Sequence, residues 1–298
     1  MQEKKISHFK RARLLMNASY ATLKADKELS ILPLLSMMWS VLVIFAVSIA
    51  VIISIFVGSS TNDGSINGVY PFFALVLGYV LISFVATYFG AAIFSGATKR
   101  FNGENPTIKS SLSSAKSKIK PLFFYSLFTA TIGLIFRILE ERLPFAGVIA
   151  AYIFNAAWAI ANIFSIPAIM SSGENLSPIE ATKQSVNIVK KVWGENAIAQ
   201  FGFGVFALFY ILMVMIISGA IGALTTVIGA SSSLAIIVAL VLSWVGFVVV
   251  ALIFSTLTSI VTAAVYYYAT TGKSPEQFNI DILKQTITTK KSRKIFSN

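Results

Sequence analysis

The chain has 298 residues, of which 56% are hydrophobic and only 12% are charged, and its formal net charge is +12. A soluble domain carries about 25% charged residues, so this composition excludes an ordinary water-soluble protein and is typical of a membrane protein. The chain contains no cysteine, which excludes disulfides, thiolate metal sites and cysteine nucleophiles. Its single histidine, His8, lies in a polar N-terminal segment, where we expect a solvated side chain rather than a ligand.

Six stretches are long and apolar enough to cross the hydrocarbon core of a bilayer, which takes about 20 helical residues. They predict an all-α membrane protein with six transmembrane helices. In chain order, the predicted spans are 31–57, 70–94, 121–139, 144–170, 197–221 and 234–270. The last stretch is longer than one span requires, which predicts either an extension of that helix beyond the bilayer or a kink near Gly246.

The lysines and arginines are distributed very unevenly between the segments that connect the predicted spans. All but two of the 24 lie in the N-terminal segment, the loops after the second and fourth spans, and the C-terminal tail. The exceptions, Arg137 and Arg142, lie between the third and fourth spans. Because positively charged loops stay in the cytoplasm, this distribution predicts a multi-pass protein of the cell membrane with both termini cytoplasmic.

Each predicted pair of spans follows a basic segment whose apolar residues recur at helical spacing. These positions are Phe9, Ala12, Met16, Tyr20 and Leu23; Ile108, Leu112, Ala115 and Ile119; and Ile179, Thr182, Val186, Val189 and Trp193. We interpret the segments as amphipathic helices that either bind anionic lipid or a partner, or pack on the spans and fix the topology. The second interpretation is the simpler one.

The basic segments also resemble one another in sequence. GENPTIKSS at Gly103 matches GENLSPIEAT at Gly173 with one residue inserted. We therefore predict one membrane domain over 1–275, built as three tandem units of an amphipathic helix and a transmembrane hairpin. The approximate unit bounds are 1–103, 104–173 and 174–275, and a basic cytoplasmic tail follows over 276–298.

Four stretches resemble the sequence signatures of an uncharacterised prokaryotic family of six-helix membrane proteins. They are LKADKELSILPLLS at Leu23, ATKRFNGENPTIKSSL at Ala97, SIPAIMSSGENLSPIEATKQS at Ser165 and AAVYYYATTG at Ala263. The segment SPIEATKQS is also similar, more distantly, to the membrane domain attached to some glycerophosphoryl diester phosphodiesterases. The resemblance implies a fold and a membrane location. It implies no enzyme activity, because this sequence carries no attached catalytic domain.

The residue pattern indicates no catalytic, metal or cofactor site. The predicted spans hold no carboxylate, and no HExxH, EF-hand or complete Walker loop occurs. Glu140 and Glu141 lie between Arg137 and Arg142, and we interpret them as an interfacial charge cluster rather than a catalytic pair. We therefore expect a protein that is not an enzyme and that uses no cofactor.

The fourth predicted span carries a polar seam. Its members, Asn155, Trp158, Asn162 and Ser165, lie at i, i+3, i+7 and i+10 and so share one helix face. Amides inside a bilayer need hydrogen-bond partners. Either the seam lines a cavity or groove, or it forms hydrogen bonds between helices, which is the simpler interpretation.

Basic residues beside the spans are candidate contacts for anionic headgroups on the cytoplasmic side. They are Lys10, Arg11, Arg13, Lys116, Lys118, Lys120, Lys190 and Lys191. The basic tail lacks interleaved aromatic residues, which argues against nucleic acid as a partner. The sequence favours a non-enzymatic membrane scaffold or accessory protein. A transporter, channel or lipid-handling protein that uses the seam is the alternative, and a lipid-modifying enzyme ranks third.

Overall fold

The computed structural model describes residues 8–26, 28–61, 64–142, 145–192, 195–227, 229, 231–276 and 278. Every regular element within these residues is an α-helix, which confirms the all-α prediction for them. In chain order the ten helices are α1 His8–Ala25, α2 Glu28–Thr61, α3 Gly64–Phe101, α4 Ile108–Ser117, α5 Ile119–Arg142, α6 Phe145–Asn162, α7 Ser165–Ser171, α8 Pro178–Lys191, α9 Glu195–Val227 and α10 Ser232–Thr271.

Six segments of the described chain are long and apolar enough to cross a membrane, as the hydropathy pattern predicts. They are Glu28–Val57, Gly68–Phe101, Ile119–Arg142, Gly147–Ser171, Gly204–Val227 and Ser232–Thr271. The fourth of these spans includes both α6 and α7. The sidedness of the spans and their grouping into three tandem units stay predictions.

Helices α3 and α10 are much longer than a bilayer requires. They contain 38 and 40 residues, which at 1.5 Å per residue gives lengths of about 57 and 60 Å, against a hydrocarbon core of about 30 Å. Helix α10 is long enough for the predicted extension beyond the bilayer. Gly246, where a kink is the alternative prediction, packs against the side chain of Val214 on α9.

The core lies at one end of the molecule, where α3 and α10 end and the short helices α1, α4, α7 and α8 pack against them. We call it the basic end, because Lys99, Arg100 and the lysines of α4 and α8 lie there. Alanines at the crossing of α3 and α10, including Ala97 and Ala264, are fully buried and allow close helix contact. Away from this end, only 0% to 22% of the most apolar window of each span is buried, so most of the span surface is left for lipid or a partner.

The short helices α1, α4 and α8 each bury one face against the spans, and the buried face coincides with the predicted stripe only in part, at Ala115 and Val189. Its members are Leu15, Ser19 and Thr22; Ser111 and Ala115; and Ala181, Ser185, Ile188 and Val189. Tyr20, Ile119 and Ile179 were assigned to the stripe and are 58%, 42% and 56% exposed. The stripe is wrong at these positions because close helix packing selects serine and alanine for the contact face and leaves larger residues at its edge. The side chains of Phe9, Ala12 and Trp193 lie outside the described residues.

Candidate functional site

The fourth span is broken near the basic end. Helix α6 ends at Asn162 and α7 begins at Ser165, so the polar seam does not run along one continuous helix, and the prediction is corrected on this point. The break removes the helical hydrogen-bond partner of the Phe164 backbone amide. That amide instead donates to the Ser185 hydroxyl on α8 at 2.9 Å. Phe164, Ser165 and Ser185 are all fully buried, so α8 provides the hydrogen bond that the broken helix lacks.

Asn162 lies at the centre of a hydrogen-bond network that joins four helices. Its Oδ1 lies within hydrogen-bond distance of three hydroxyls, those of Tyr125 at 3.2 Å, Ser165 at 3.1 Å and Thr182 at 2.9 Å, and the Thr182 hydroxyl also lies 3.0 Å from the Pro178 carbonyl. Its Nδ2 donates to the Trp158 carbonyl at 2.9 Å. An amide oxygen has two lone pairs, so this group has no acceptor capacity left for a ligand.

The remaining seam residues have separate partners within the protein. Asn155 Nδ2 donates to Glu140 Oε1 at 2.7 Å, and Asn155 lies about two helical turns from Asn162. The Trp158 ring meets the Phe128 ring edge-on, with centroids 5.6 Å apart. The structure therefore brings Asn162 and Ser165 together and holds Asn155 apart, and it favours hydrogen bonding between helices over a continuous polar lining.

Glu140 and Glu141, at the C-terminal end of α5, have different partners. Glu140 accepts from Asn155, whereas Glu141 Oε1 lies 3.5 Å from Arg137 Nε on the exposed face of α5. An exposed i,i+4 pair of this kind contributes about 0.3–0.5 kcal/mol. This arrangement fits the interfacial charge cluster that the sequence suggests.

Residues of the first two sequence signatures meet where the first span begins. The Asp26 carboxylate, in a residue that is 6% exposed, lies 3.3 Å from Arg100 Nε at the end of α3. Burial raises the pKa of Asp26, an effect that the Arg100 guanidinium opposes and the Glu28 carboxylate reinforces. Glu28 Oε2 accepts a hydrogen bond of 2.7 Å from the Ile108 amide, at the positive N-terminus of α4. Sequence reasoning missed these contacts, because pairs so distant in the chain leave no local pattern.

Helices α4 and α8 begin with capping boxes, and both lie in the two matching stretches. The Thr107 hydroxyl accepts from the Ser110 amide at 3.1 Å, and the Ser177 hydroxyl accepts from the Glu180 amide at 3.3 Å. Glu180 accepts in return from the Ser177 amide and hydroxyl, and these bonds lower its pKa. Each stretch therefore starts a helix at the same place in its motif.

A polar cavity of about 280 Å³ lies at the basic end between α3, α4 and α7. Its polar lining includes Ser95, Lys99, Asn102, Ser114, Ser117 and Lys118. Lys99 Nζ donates to the Ser110 carbonyl and Lys118 Nζ to the Glu174 carbonyl, each at 3.0 Å. Sequence reasoning named Lys118 as a lipid contact but did not connect it with Lys99.

Two apolar grooves lie between the spans. A groove of about 700 Å³ runs between α2, α3 and α5, is lined mostly by aliphatic and aromatic side chains, and has Arg137 and Glu141 among its lining residues. A groove of about 320 Å³ lies between α1, α9 and α10, and is lined by residues such as Met16, Tyr210 and Phe254. Neither these grooves nor the polar cavity is lined by any of the four seam residues.

The candidate lipid contacts differ in their surroundings. Arg13, Lys116, Lys120, Lys190 and Lys191 are exposed, whereas Lys118 is half-buried beside the cavity. Lys10 and Arg11 belong to α1, but their side chains lie outside the described residues. Within the described chain, no group of three or more His, Asp or Glu side chains could hold a metal ion.

Comparison with known proteins identifies a family but no activity. A model described as "Family of unknown function (DUF6159)" matches residues 69–276, which is more than half of the chain and includes five of the six candidate spans. No curated protein and no solved structure matches the chain. The expected similarity to the membrane domain of glycerophosphoryl diester phosphodiesterases thus has no support from these comparisons, and the LKADKEL signature lies before the matched residues.

Proposed function

The chain belongs to the DUF6159 family of unknown function, and on this premise we propose that it is a non-enzymatic membrane scaffold or accessory protein. One observation carries the proposal: a packed core at the basic end supports spans whose apolar windows are at most 22% buried. A rigid base with extended, unburied helices is suited to holding partners within the bilayer. In this proposal the protein acts by binding and not by chemical conversion.

The polar groups of the fourth span support a scaffold more than a transporter. A transport pathway for a polar solute needs polar groups that face water or the solute. Asn162 instead bonds to Tyr125, Ser165, Thr182 and the Trp158 carbonyl, and Asn155 bonds to Glu140. These groups are occupied by the protein itself.

The proposed setting is the cell membrane, with the basic end and both termini in the cytoplasm. Exposed Arg13, Lys116 and Lys190 then lie near anionic headgroups, where each contributes about 1 kcal/mol of attraction. Nucleic acid is not a partner in this proposal. The capping boxes at Thr107 and Ser177 support the arrangement of amphipathic helices and hairpins as tandem units.

Lipid handling is the second candidate, and the 700 Å³ groove between α2, α3 and α5 favours it. Its apolar walls suit an acyl chain. Arg137 and Glu141 among its lining residues could hold a polar headgroup where the chain leaves the groove. In this alternative the protein binds a lipid molecule specifically and does not merely lie in the bilayer.

Photocrosslinking from the span surface distinguishes the two candidates. A photoreactive residue replaces Leu75, which lines the groove, or Leu77, which does not; both side chains are 58% exposed. A third variant carries the group at Ile216 on α9, which is 71% exposed. A scaffold gives discrete protein adducts at Leu77 or Ile216 in native membranes.

Specific crosslinking to a lipid would contradict the scaffold proposal. If Leu75 yields adducts with one lipid class while Leu77 and Ile216 yield only bulk lipid in proportion to membrane composition, lipid handling is the better account. A matched variant at exposed Lys183, on the basic end, shows whether any protein adduct depends on the spans.

A further inference from the structure

The polar cavity between α3, α4 and α7 has a positively charged lining. Lys99 and Lys118 are among the residues that line it, and these residues include no aspartate or glutamate. We propose that this cavity binds a phosphate group, either in the headgroup of an anionic lipid or in a small soluble phosphate compound. The proposal goes beyond the scaffold function and does not depend on it.

The two lysines are held in place and still have donors to offer. Each ammonium uses one N–H on a backbone carbonyl at 3.0 Å, Lys99 on Ser110 and Lys118 on Glu174. An ammonium has three donors, so two remain on each lysine. The backbone anchors fix both side chains at the cavity, which lowers the conformational entropy that a ligand would otherwise have to remove.

Asn102 supplies a third donor group. Its Oδ1 accepts a hydrogen bond of 3.0 Å from the Tyr267 hydroxyl on α10, which orients the amide. Its Nδ2 has no partner within the described residues, and Asn102 is one of the residues that line the cavity. The hydroxyls of Ser114 and Ser117 donate to carbonyls of their own helix, at 2.9 and 2.7 Å. Each hydroxyl can rotate to donate to a ligand in the cavity instead.

Charge and size identify the ligand class. A phosphomonoester carries about −1.5 to −2 charge at neutral pH, which two ammonium groups balance. Lysine is a common phosphate ligand because it acts as a compact point charge. The cavity volume, about 280 Å³, lies just below the usual range for drug-sized ligands, so it suits a molecule no larger than a lipid headgroup.

Lys99 and Lys118 also bond to backbone carbonyls near helix ends. The test must therefore distinguish a loss of ligand binding from a loss of protein stability. Glutamine keeps an N–H donor for the carbonyl but has no charge, which makes Lys99→Gln and Lys118→Gln the informative variants. Asn102→Asp keeps the oxygen that accepts from Tyr267 and places a negative charge in the cavity. The matched control is Lys116→Gln, which removes the same charge from the exposed face of α4, two residues from Lys118.

Binding is measured on the full chain in detergent with inorganic phosphate and glycerol 3-phosphate, and in nanodiscs of phosphatidylcholine with and without phosphatidic acid. We expect about a fivefold loss of affinity for each lysine variant and about thirtyfold for both together. Asn102→Asp also weakens binding, and Lys116→Gln leaves it within about twofold. Loss of binding to the two soluble compounds assigns a soluble ligand, and loss seen only with phosphatidic acid assigns a headgroup.

The proposal is overturned if Lys99→Gln, Lys118→Gln and Lys116→Gln weaken binding equally, since that pattern indicates general surface attraction. It is also overturned if wild-type protein binds none of the probes. Should the double lysine variant fail to fold, Asn102→Asp decides the question, because unchanged affinity in that variant places the phosphate elsewhere.

Discussion

The Ser185 hydroxyl accepts a hydrogen bond of 2.9 Å from the buried Phe164 amide, and this contact joins α8 to the break in the fourth span. Water cannot satisfy an amide buried there, so a partner from another element is needed. Helix α8 is therefore part of the span's structure and not only a connection between hairpins.

We expect Ser185→Ala to lower the free energy of unfolding by about 1–3 kcal/mol, the cost of leaving a buried donor without a partner. Thermal unfolding of the purified protein in detergent measures the effect. Gln184→Ala, an exposed change on the same helix, is the matched control and should cost less than about 0.5 kcal/mol. Equal stability of the two variants would show that α8 does not support the break.

Asn162→Leu and Asn155→Leu should differ in their effect on stability. The first removes an oxygen that can accept two of the surrounding hydroxyl bonds and an Nδ2 that donates to the Trp158 carbonyl, and at about 0.6 kcal/mol for each intramembrane bond the loss is about 2 kcal/mol. Asn155→Leu removes one bond to Glu140 and should cost about 0.6 kcal/mol.

Unfolding midpoints of both leucine variants in one detergent test this order. A larger loss for Asn155→Leu would contradict the assignment of Asn162 as the centre of the network. Asn162→Asp adds a further check, because it keeps the accepting oxygen but places a charge in a half-buried, intramembrane site, and it should be at least as unstable as Asn162→Leu.

The spans could be predicted from the sequence, and the helix caps are also local in the chain, although sequence reasoning did not name them. Long apolar runs specify helices in a bilayer, and Ser177 and Glu180 form a capping box within four residues. The break after Asn162 could not be predicted in this way. It depends on the hydrogen bond between the Phe164 amide and Ser185, which lies on another helix. The contact of Glu28 with Ile108 spans 80 residues and left no periodic signal.

The predicted seam is interrupted for a related reason. Helical spacing places Asn155 and Ser165 on one face only while the helix continues, and the chain leaves α6 before Ser165. The stripes on α1 and α8 are wrong at Tyr20 and Ile179, because hydrophobicity alone does not identify the positions where helices pack closely. Serine and alanine lie in those contacts because they are small.

Glu28→Gln should weaken the start of α4. The carboxylate interacts with the positive end of that helix through the Ile108 amide, and losing its charge is expected to cost about 0.3–1 kcal/mol. Hydrogen exchange of the first amides of α4 should then be faster. Glu104→Gln, an exposed change in the loop before α4, is the control and should leave that exchange unaltered. Unchanged exchange in Glu28→Gln would argue against the cap.

Asp26 should make stability depend on pH in a direction opposite to that of most carboxylates. Burial raises its folded-state pKa above the ordinary 3.8, so between these values the folded protein binds a proton more readily than the unfolded chain. The free energy of unfolding therefore falls as pH rises through that window. The stability of wild type relative to Asp26→Asn, measured from pH 3.5 to 7 at about 0.5-unit steps, should decrease with pH. A difference that rises with pH would mean that Arg100 dominates over burial.

Cysteine labelling tests the orientation of the spans cleanly, because the chain has no cysteine of its own and any introduced thiol is the single reactive site. Ser113 is exposed on α4 at the basic end, and Thr226 is exposed near the other end of α9. Since basic segments stay cytoplasmic, a membrane-impermeant maleimide should label Thr226→Cys in intact cells and Ser113→Cys only after permeabilisation. The reverse pattern would place the basic end outside, where Lys99 and Lys118 could not meet a cytoplasmic phosphate. Labelling of both sites in intact cells would contradict the antiparallel arrangement of the spans.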